Sequence, residues 1–268
     1  MRNKKYKKII VLSSGGLDSS TLAYLAVKKS RPYLKNRVFL LTFDYGQRHK
    51  KELKSAIFIG KKIGCFEHKI IKFDLTLWGG SSLTDTKLKI PINQKLAVSN
   101  STKGGPGGQR SDNHIPNTYV PARNTVFLSF ALSYAEAVGA EEIYIGVNSI
   151  DYSGYVDCRE AFIKKYQELI KVATTSGVYG KPIQIKTPLI NMNKAQIVKL
   201  GKRLKVDWAS TWSCYSGDKL ACGLCDSCQL RLKGFSLARI KDPVKYKTYP
   251  KFYRERLRQS DHVTSQAM

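Results

Sequence analysis

The segment Ser14-Gly15-Gly16-Leu17-Asp18-Ser19-Ser20 decides how this chain folds. An apolar run at 9–12 precedes it and an amphipathic pattern follows it, so the order is strand, glycine turn, helix. Adjacent glycines allow a sharp turn with converging amide N–H groups, and the helix N-terminus favours an anion. We therefore predict a pyrophosphate-binding loop. The residues assigned to nucleotide binding are Ser13, Ser14, Gly15, Gly16, Leu17, Asp18, Ser19, Ser20, Thr21, Leu22 and Ala23.

This loop differs from the common phosphate-binding motifs. It lacks the terminal Lys-Ser/Thr pair of the Walker loop, and its glycine spacing does not fit the dinucleotide fingerprint. The pattern SGGxDS resembles the PP-loop of ATP pyrophosphatases, which cleave ATP between its α- and β-phosphates. The acid Asp18 would oppose an anion by itself, which favours a Mg²⁺ ion held there. The alternative is a Gly-Gly turn with a Ser or Asp helix cap.

Composition sets the broad class of the protein. The chain has 268 residues, of which 42% are hydrophobic, enough for one large domain or two small ones. No apolar run approaches the ~20 residues of a membrane span, and the N-terminus lacks a signal-peptide core. We therefore expect a cytoplasmic protein without a membrane partner.

The chain is strongly basic, with a formal net charge of +26 from 46 basic and 20 acidic residues. Such a charge suggests anionic partners such as nucleotides or RNA. The basic residues flank most elements instead of forming one block, which is typical of a solvated surface. Nucleic-acid binding is therefore not expected.

Buried strand patterns alternate with helical patterns along the chain. Apolar runs at 38–43, 69–73, 143–147 and 183–187 follow the first strand, and helical patterns separate them. This alternation predicts a Rossmann-like α/β fold, a parallel sheet with flanking helices and right-handed crossovers. Ligands of such sheets bind beyond the carboxyl ends of the strands.

Polar residues near these strand ends are the candidates for substrate binding or catalysis. Arg123 begins a helix, an unfavourable place for a cation, so either a ligand anion or a nearby acid should satisfy it. Asp157 forms a capping-box pattern with Glu160 and is also a candidate for a purely structural role. The set is Asp18, Tyr45, Gln47, Arg48, Arg123, Asn124, Asn148, Asp151, Tyr152, Asp157 and Lys181.

Four of the six cysteines crowd together as Cys214-x7-Cys222-x2-Cys225-x2-Cys228. In a cytosolic chain such crowding favours metal over disulfides. Four thiolates at this spacing can surround one tetrahedral Zn²⁺, and four protein ligands leave no open position, so the site should be structural. The alternatives are an iron–sulfur cluster or a redox pair.

These patterns divide the chain into three parts. Residues 1–205 form the nucleotide-binding α/β domain, 206–240 the zinc-binding lobe and 241–268 a basic C-terminal tail. A glycine-rich stretch at about 79–117 interrupts the domain and is typical of a long mobile loop, a lid or an insertion. We also predict that Asn193 and Gln196 cap a helix and that another helix runs from Asp226 to Phe235.

Several longer runs resemble one family, the 7-cyano-7-deazaguanine synthases of the queuosine pathway. The resemblance covers roughly residues 7–240 and departs at a longer loop around 95–112, at Ala122 where glycine is expected, and at the basic tail after Asp242. The runs are 42–49 (TFDYGQRH), 115–121 (IPNTYVP), 123–124 (RN), 144–148 (YIGVN), 151–155 (DYSGY) and 211–215 (TWSCY), with the cysteine spacing.

The resemblance implies an adenine nucleotide alpha hydrolase-like fold and a specific reaction. The reaction converts 7-carboxy-7-deazaguanine and ammonia to the nitrile, using ATP through adenylated intermediates. The expected groups are structural Zn²⁺, Mg²⁺ and ATP as substrate, in a homodimer that takes ammonia from solution or a partner. Two other functions stay open: a PP-loop ligase or thiolase acting on tRNA, and a non-catalytic nucleotide-binding zinc protein.

Overall fold

Five strands form one parallel sheet in the computed structural model, which describes residues 7–30, 37–92, 115–148 and 154–255. The strand order is β3-β2-β1-β4-β5, and all four pairings are parallel. The strands are β1 (Ile9–Leu12), β2 (Val38–Asp44), β3 (Glu67–Lys72), β4 (Glu142–Tyr144) and β5 (Gln184–Lys186). The predicted Rossmann-like parallel sheet is thus confirmed.

The central strands β1 and β2 are mostly apolar because helices cover both faces of the sheet. Every residue of β1 and β2 is buried, whereas the edge strand β3 is partly exposed. The helices are α1 (Leu17–Ser30), α2 (Lys51–Ile63), α3 (Arg123–Val138), α4 (Glu160–Ala173), α5 (Thr175–Val178), α6 (Lys194–Leu204) and α7 (Asp226–Ala238). Among the helices of the described ranges, none is long and apolar enough to cross a membrane.

Two apolar cores lie on the two faces of the sheet. One contains Leu128 of α3 and Ile170 of α4. The other contains Leu22 of α1, Ile197 of α6 and Phe235 of α7. The helices α6 and α7 therefore join the cysteine region to the α/β domain through a shared core.

Some element boundaries differ from the predictions. The strand β3 begins at Glu67, and β4 ends at Tyr144, so residues 145–147 continue beyond the sheet. The capping box of Asn193 and Gln196 on α6 is confirmed. The capping box predicted for Asp157 is wrong, because Arg159 is the N-cap of α4 and no side chain caps that helix.

The glycine-rich stretch is ordered in its first part. Ser81 and Ser82 are fully buried, and Ser82 N donates to the carbonyl oxygen of Asn117 at 2.8 Å. These contacts hold the backbone at residues 81–82, and the long mobile loop at about 79–117 stays a prediction. Residues 93–114, with the longest glycine run, lie outside the described residues.

The segment 241–255 packs on residues 206–240, which carry the four clustered cysteines and form the cysteine lobe. Asp242 is 6% exposed and pairs with the buried Arg231 of α7, with Nε to Oδ2 at 2.6 Å. Tyr246 and Tyr253 belong to the core beneath it. The basic tail predicted for 241–268 is thus packed as far as Tyr253, and 256–268 lie outside the described residues. The three-part division of the chain stays a prediction.

Candidate active site

A cavity of about 240 Å³ lies at the carboxyl ends of β1, β2 and β4. The strand β1 has β2 on one side and β4 on the other, so the strand order reverses here, and open α/β sheets bind ligands at such a point. The loop after β1 forms one wall of the cavity, and residues 145–148 after β4 form another.

The loop after β1 is tightly packed against α2. Gly15 has φ +77°, and a Cβ there would lie 2.3 Å from the carbonyl oxygen of Glu52, so only glycine fits. Ser19 Oγ accepts a hydrogen bond from Ser14 N at 3.1 Å and contacts Ser14 Oγ at 3.0 Å. The loop therefore holds its shape through its own hydrogen bonds.

The predicted nucleotide-binding residues divide into two groups. The residues that line the cavity are Ser13, Ser14, Gly16, Leu17, Asp18 and Ser19. The side chains of Thr21, Leu22 and Ala23 are fully buried in α1 and do not line it, and neither do Gly15 and Ser20. The hydroxyls of Ser13 and Ser20 are buried without a hydrogen-bond partner among the described residues.

Asp18 forms an ion pair that the sequence reasoning missed. Lys194 Nζ lies 2.8 Å from Asp18 Oδ2, and the lysine side chain is only 7% exposed. Lys194 is the first residue of α6, where a cation is unfavourable unless an anion lies nearby. The same argument was applied to Arg123, and it could have identified Lys194 as a candidate residue of the site. Because the charge of Lys194 compensates that of Asp18, repulsion between Asp18 and a bound phosphate is no longer by itself a reason to expect a metal ion at Asp18. Asp18 Oδ1 is buried and has no hydrogen-bond partner in the described chain.

Arg123 stands at the start of α3 among aromatic rings. Its Nη1 donates to Tyr45 Oη at 3.1 Å, and its guanidinium lies 5.8 Å from the Tyr45 ring and 5.9 Å from that of Phe127. The preceding Ala122 has φ +51°, a conformation that favours glycine and explains why the resemblance leads one to expect glycine there. The cavity is lined by Arg123 and by both of these aromatic residues, Tyr45 and Phe127.

Three other candidates brace the walls of the cavity. Asn124 N donates to Asp157 Oδ2 at 3.0 Å, so Asp157 ties the start of α3 to the 156–158 turn without lining the cavity. Asn148 is 1% exposed and donates to the carbonyl oxygens of Leu189 and Met192. The two asparagines line the cavity. Asp151 and Tyr152 lie outside the described residues.

The remaining candidates do not line the cavity. Gln47 Oε1 accepts from Tyr45 N at 2.9 Å, which fixes the turn after β2. Arg48 donates to the carbonyl oxygen of Asp85 at 2.9 Å and holds the segment at 85–88. Lys181 is exposed and precedes β5, at the edge of the sheet where the strands begin, opposite the cavity.

Two further ionisable residues in the cavity were not predicted. Burial raises the pKa of Glu52 to about 7, although Arg123 and a hydrogen bond from Gln47 act in the other direction. Burial, followed by the charge of Asp157, raises the pKa of Cys158 to about 12. Cys158 therefore remains a thiol at neutral pH and is a poor nucleophile.

The cysteine lobe directly contacts the loop after β1, residues 13–16, which is the predicted phosphate loop. Trp212 N donates to the carbonyl oxygen of Gly15 at 2.9 Å. Trp212, Ser213 and Tyr215, which immediately flank the first cysteine of the cluster, line the cavity. They belong to the 211–215 run that was noted for its resemblance but not assigned to the site. The lobe thus forms one wall of the cavity.

The four cysteines converge on one point. Their Sγ atoms all lie within 4.8 Å of one another, and none of the four forms a disulfide. Backbone N–H groups point at the sulfurs, with Cys222 N to Cys214 Sγ at 3.2 Å and Cys225 N to Cys222 Sγ at 3.3 Å. Such donors stabilise thiolates, so this donor set fits a metal ion.

The sheet order, the glycine loop at the reversal point and the cavity beside it define a PP-loop α/β enzyme. Within that class, the chain belongs to the family described as queuosine biosynthesis protein QueC, which matches residues 8–239. The family resemblance noted in the sequence is thereby confirmed.

Relatives named 7-cyano-7-deazaguanine synthase align with nearly the whole chain. The protein of Cyanothece sp. is 49% identical over 245 residues, covering 90% of this chain and 100% of the relative. That of Prochlorococcus marinus is 53% identical over 229 residues, covering 85% and 93% respectively. That of Saccharophagus degradans is 50% identical over 242 residues, covering 90% and 98%.

Proposed function

We propose that this protein converts 7-carboxy-7-deazaguanine to 7-cyano-7-deazaguanine, with ATP and ammonia as co-substrates. The observation that carries the proposal is a single cavity in which the phosphate loop faces the Arg123–Tyr45 cluster. An activated phosphate and a substrate carboxylate can therefore meet there. The names of the relatives supply the particular substrate and product.

The first step activates the carboxylate, which is inert to amines because its leaving group would be oxide. A carboxylate oxygen attacks the α-phosphorus of ATP, pyrophosphate leaves, and an acyl-adenylate forms. Ser14, Ser19 and the amide N–H groups at the start of α1 stabilise the charge that develops on pyrophosphate. Lys194 adds a buried positive charge at the same wall of the cavity.

Asp18 Oδ1 is the atom proposed to hold Mg²⁺, because it is a buried acceptor that no described residue satisfies. The ion would neutralise phosphate oxygens and strengthen pyrophosphate as a leaving group. Asp18 then has two functions, since its Oδ2 already positions Lys194.

Arg123 is the residue proposed to receive the substrate carboxylate. Among the described residues, the side chain of Arg123 donates a hydrogen bond only to Tyr45. This side chain is partly exposed, so N–H donors remain for a ligand. The rings of Tyr45, Phe127, Tyr155 and Tyr215 also line the cavity and offer an apolar surface for a flat bicyclic base.

Ammonia completes the conversion in two stages. It attacks the acyl-adenylate carbon, so a C–N bond forms, AMP leaves and the amide results. Activation of the amide oxygen by a further adenylyl transfer and loss of that oxygen with AMP then leave the nitrile. We propose that ammonia comes from solution or from a partner.

The four cysteines are proposed to bind one structural Zn²⁺. Zn–S bonds of about 2.3 Å in a tetrahedron place the sulfurs about 3.8 Å apart, and Cys222 Sγ lies 3.9 Å from Cys228 Sγ. A four-iron cluster would hold its cysteine sulfurs farther apart than the 4.8 Å limit found here. By fixing Trp212 against the phosphate loop, the metal would also support the cavity. A homodimer in the cytoplasm is part of the same proposal.

The proposal is tested by incubating the purified protein with ATP, ammonium and 7-carboxy-7-deazaguanine and identifying products by mass spectrometry. We expect 7-cyano-7-deazaguanine, pyrophosphate and AMP. Turnover on tRNA instead would favour the ligase or thiolase alternative. ATP binding without any product would favour a non-catalytic nucleotide-binding protein.

A further inference from the structure

Glu52 occupies a distinctive place in the cavity. It is the second residue of α2 and lines the cavity next to the phosphate loop. Its backbone packs closely on the loop, since a Cβ added at Gly15 would lie 2.3 Å from the carbonyl oxygen of Glu52. The side chain is therefore carried by a helix start that lies directly against the loop.

Gln47 orients the Glu52 carboxylate. Gln47 Oε1 accepts from Tyr45 N at 2.9 Å and Nε2 donates to Phe43 O at 3.2 Å, so its amide can adopt only one orientation. That orientation points Nε2 at Glu52 Oε1, 3.1 Å away. The described residues supply no other hydrogen bond to this carboxylate, so Oε2 is available to a ligand in the cavity.

The other carboxylate of the described cavity lining is already engaged. Asp18 forms its ion pair with Lys194, whereas Glu52 accepts only the neutral amide of Gln47. Glu52 is thus the carboxylate of the described cavity lining that forms no ion pair with the chain, so it can attract a small cation.

The groups that act electrostatically on Glu52 come from two neighbouring elements. Arg123 of α3 and the hydrogen bond from Gln47 after β2 favour the ionised form of Glu52, and burial together with the charge of Glu52 raises the pKa of Tyr45. Burial is the larger effect and raises the pKa of Glu52 to about 7. The carboxyl group can therefore both accept and release a proton near neutral pH, as a general base requires.

We propose that Glu52 binds ammonium and accepts its proton, releasing ammonia beside the activated substrate carbon. This role rests on the proposed function, because ammonium is protonated at neutral pH and has no free electron pair for attack. The proton moves from nitrogen to Glu52, ammonia forms the C–N bond, and the C–O bond to AMP breaks. The amide nitrogen then loses its extra proton to solvent, and Glu52 returns its proton to solvent.

The test compares two nucleophiles on Glu52→Gln. This variant keeps the side-chain length and an oxygen for Gln47, so thermal unfolding should match the wild type. The matched control is Glu168→Gln, which removes an exposed carboxylate of α4 far from the cavity. One reaction uses ammonium, and the other uses hydroxylamine, which is largely uncharged at neutral pH and traps the acyl-adenylate as a hydroxamate.

We expect Glu52→Gln to lose roughly 100-fold in ammonium-dependent turnover at pH 7, the lower part of the range for lost general-base catalysis. Hydroxamate formation should stay close to the wild-type rate. The difference in ammonium-dependent turnover between Glu52→Gln and the wild type should become smaller as the pH rises, since free ammonia becomes more abundant. Glu52→Asp keeps a carboxylate that can accept the proton. Its ammonium-dependent turnover should therefore fall as the pH drops through the pKa of that carboxyl group.

Two results would overturn the role of Glu52. One is an equal loss of amide and hydroxamate formation in Glu52→Gln, which would mean a structural role. The other is wild-type ammonium-dependent turnover at pH 7. A wild-type protein that forms neither the nitrile nor the hydroxamate would overturn the proposed function itself, and this role with it.

Discussion

Removing Asp242 should strongly destabilise the protein. Asp242 accepts hydrogen bonds from Arg231 Nε at 2.6 Å, Arg231 Nη2 at 2.9 Å and Tyr246 Oη at 2.8 Å. The two side chains of the ion pair are 3% and 0% exposed, so water cannot replace the lost partner. Asp242→Ala therefore leaves a buried guanidinium uncompensated.

The expected loss follows from this burial. Breaking a buried ion pair by removing one partner costs about 3–5 kcal/mol, a large part of a typical unfolding free energy of about 5–15 kcal/mol. The matched control is Asp218→Ala, whose ion pair with Lys247 has side chains 50% and 52% exposed. An exposed pair of this kind contributes about 0–1 kcal/mol.

Urea unfolding at a fixed zinc concentration measures both variants, with thermal unfolding as a second readout. Asp242→Ala should also lower Tm by roughly 10 °C, whereas Asp218→Ala should change it little. Equal, small losses for the two variants would refute the reasoning. They would mean that the segment 241–255 does not pack on the lobe as the structure shows.

Further predictions concern the metal, the phosphate loop and the charge of the protein. Metal analysis should find about one zinc per chain. Cys222→Ala should lose the zinc and lower the stability of the protein, whereas the control Cys65→Ala should keep the zinc. A Cys222→Ala protein that is folded, metal-free and fully active would refute the structural zinc site. Asp18→Asn should keep the fold and lose mainly turnover; wild-type turnover with an unchanged dependence across a magnesium titration would remove Asp18 from the mechanism. Gly64→Ala should lower the free energy of unfolding by about 1–2 kcal/mol, because its backbone is left-handed. Gly15→Ala should lower it more, because a Cβ there meets the backbone at 2.3 Å, whereas a Cβ at Gly64 has no atom within 4 Å. Equal losses of the two variants in urea unfolding would contradict the packing around Gly15. Binding of tRNA should be weak at physiological salt, and tight binding with a steep salt slope would overturn the interpretation of the charge as surface solvation.

The sequence predicted well those features that depend on neighbours in the chain. Apolar runs and helical periodicity located the five strands, because a buried parallel strand requires nearly continuous apolar residues. The capping box at Asn193 was likewise readable, since its two partners are three residues apart. Asp157 shows the limit of this reasoning. The same local pattern was present there, but Asp157 instead accepts from Asn124, 33 residues away.

Candidate site residues were harder to assign, because being near a strand end does not determine where a side chain points. Tyr45 lines the cavity, whereas Gln47, two residues later, is turned to the backbone of its own turn. Arg48 follows and is used to hold the segment at 85–88. Hydrogen bonds within the turn decided the direction of Gln47, and hydrogen bonds to a distant segment decided that of Arg48. The residue types alone could not decide either.

The sequence by itself determined the parallel α/β architecture, the glycine loop after β1 and the set of four cysteines that fits a metal ion. Each depends on residue types at short, regular spacings, and such spacings act through local backbone geometry. Only the tertiary structure decided which charges meet. Asp18 and Lys194 are 176 residues apart, and they pair because the sheet order brings the starts of α1 and α6 together. Glu52 gained its raised pKa in the same way, through burial among elements distant in the chain.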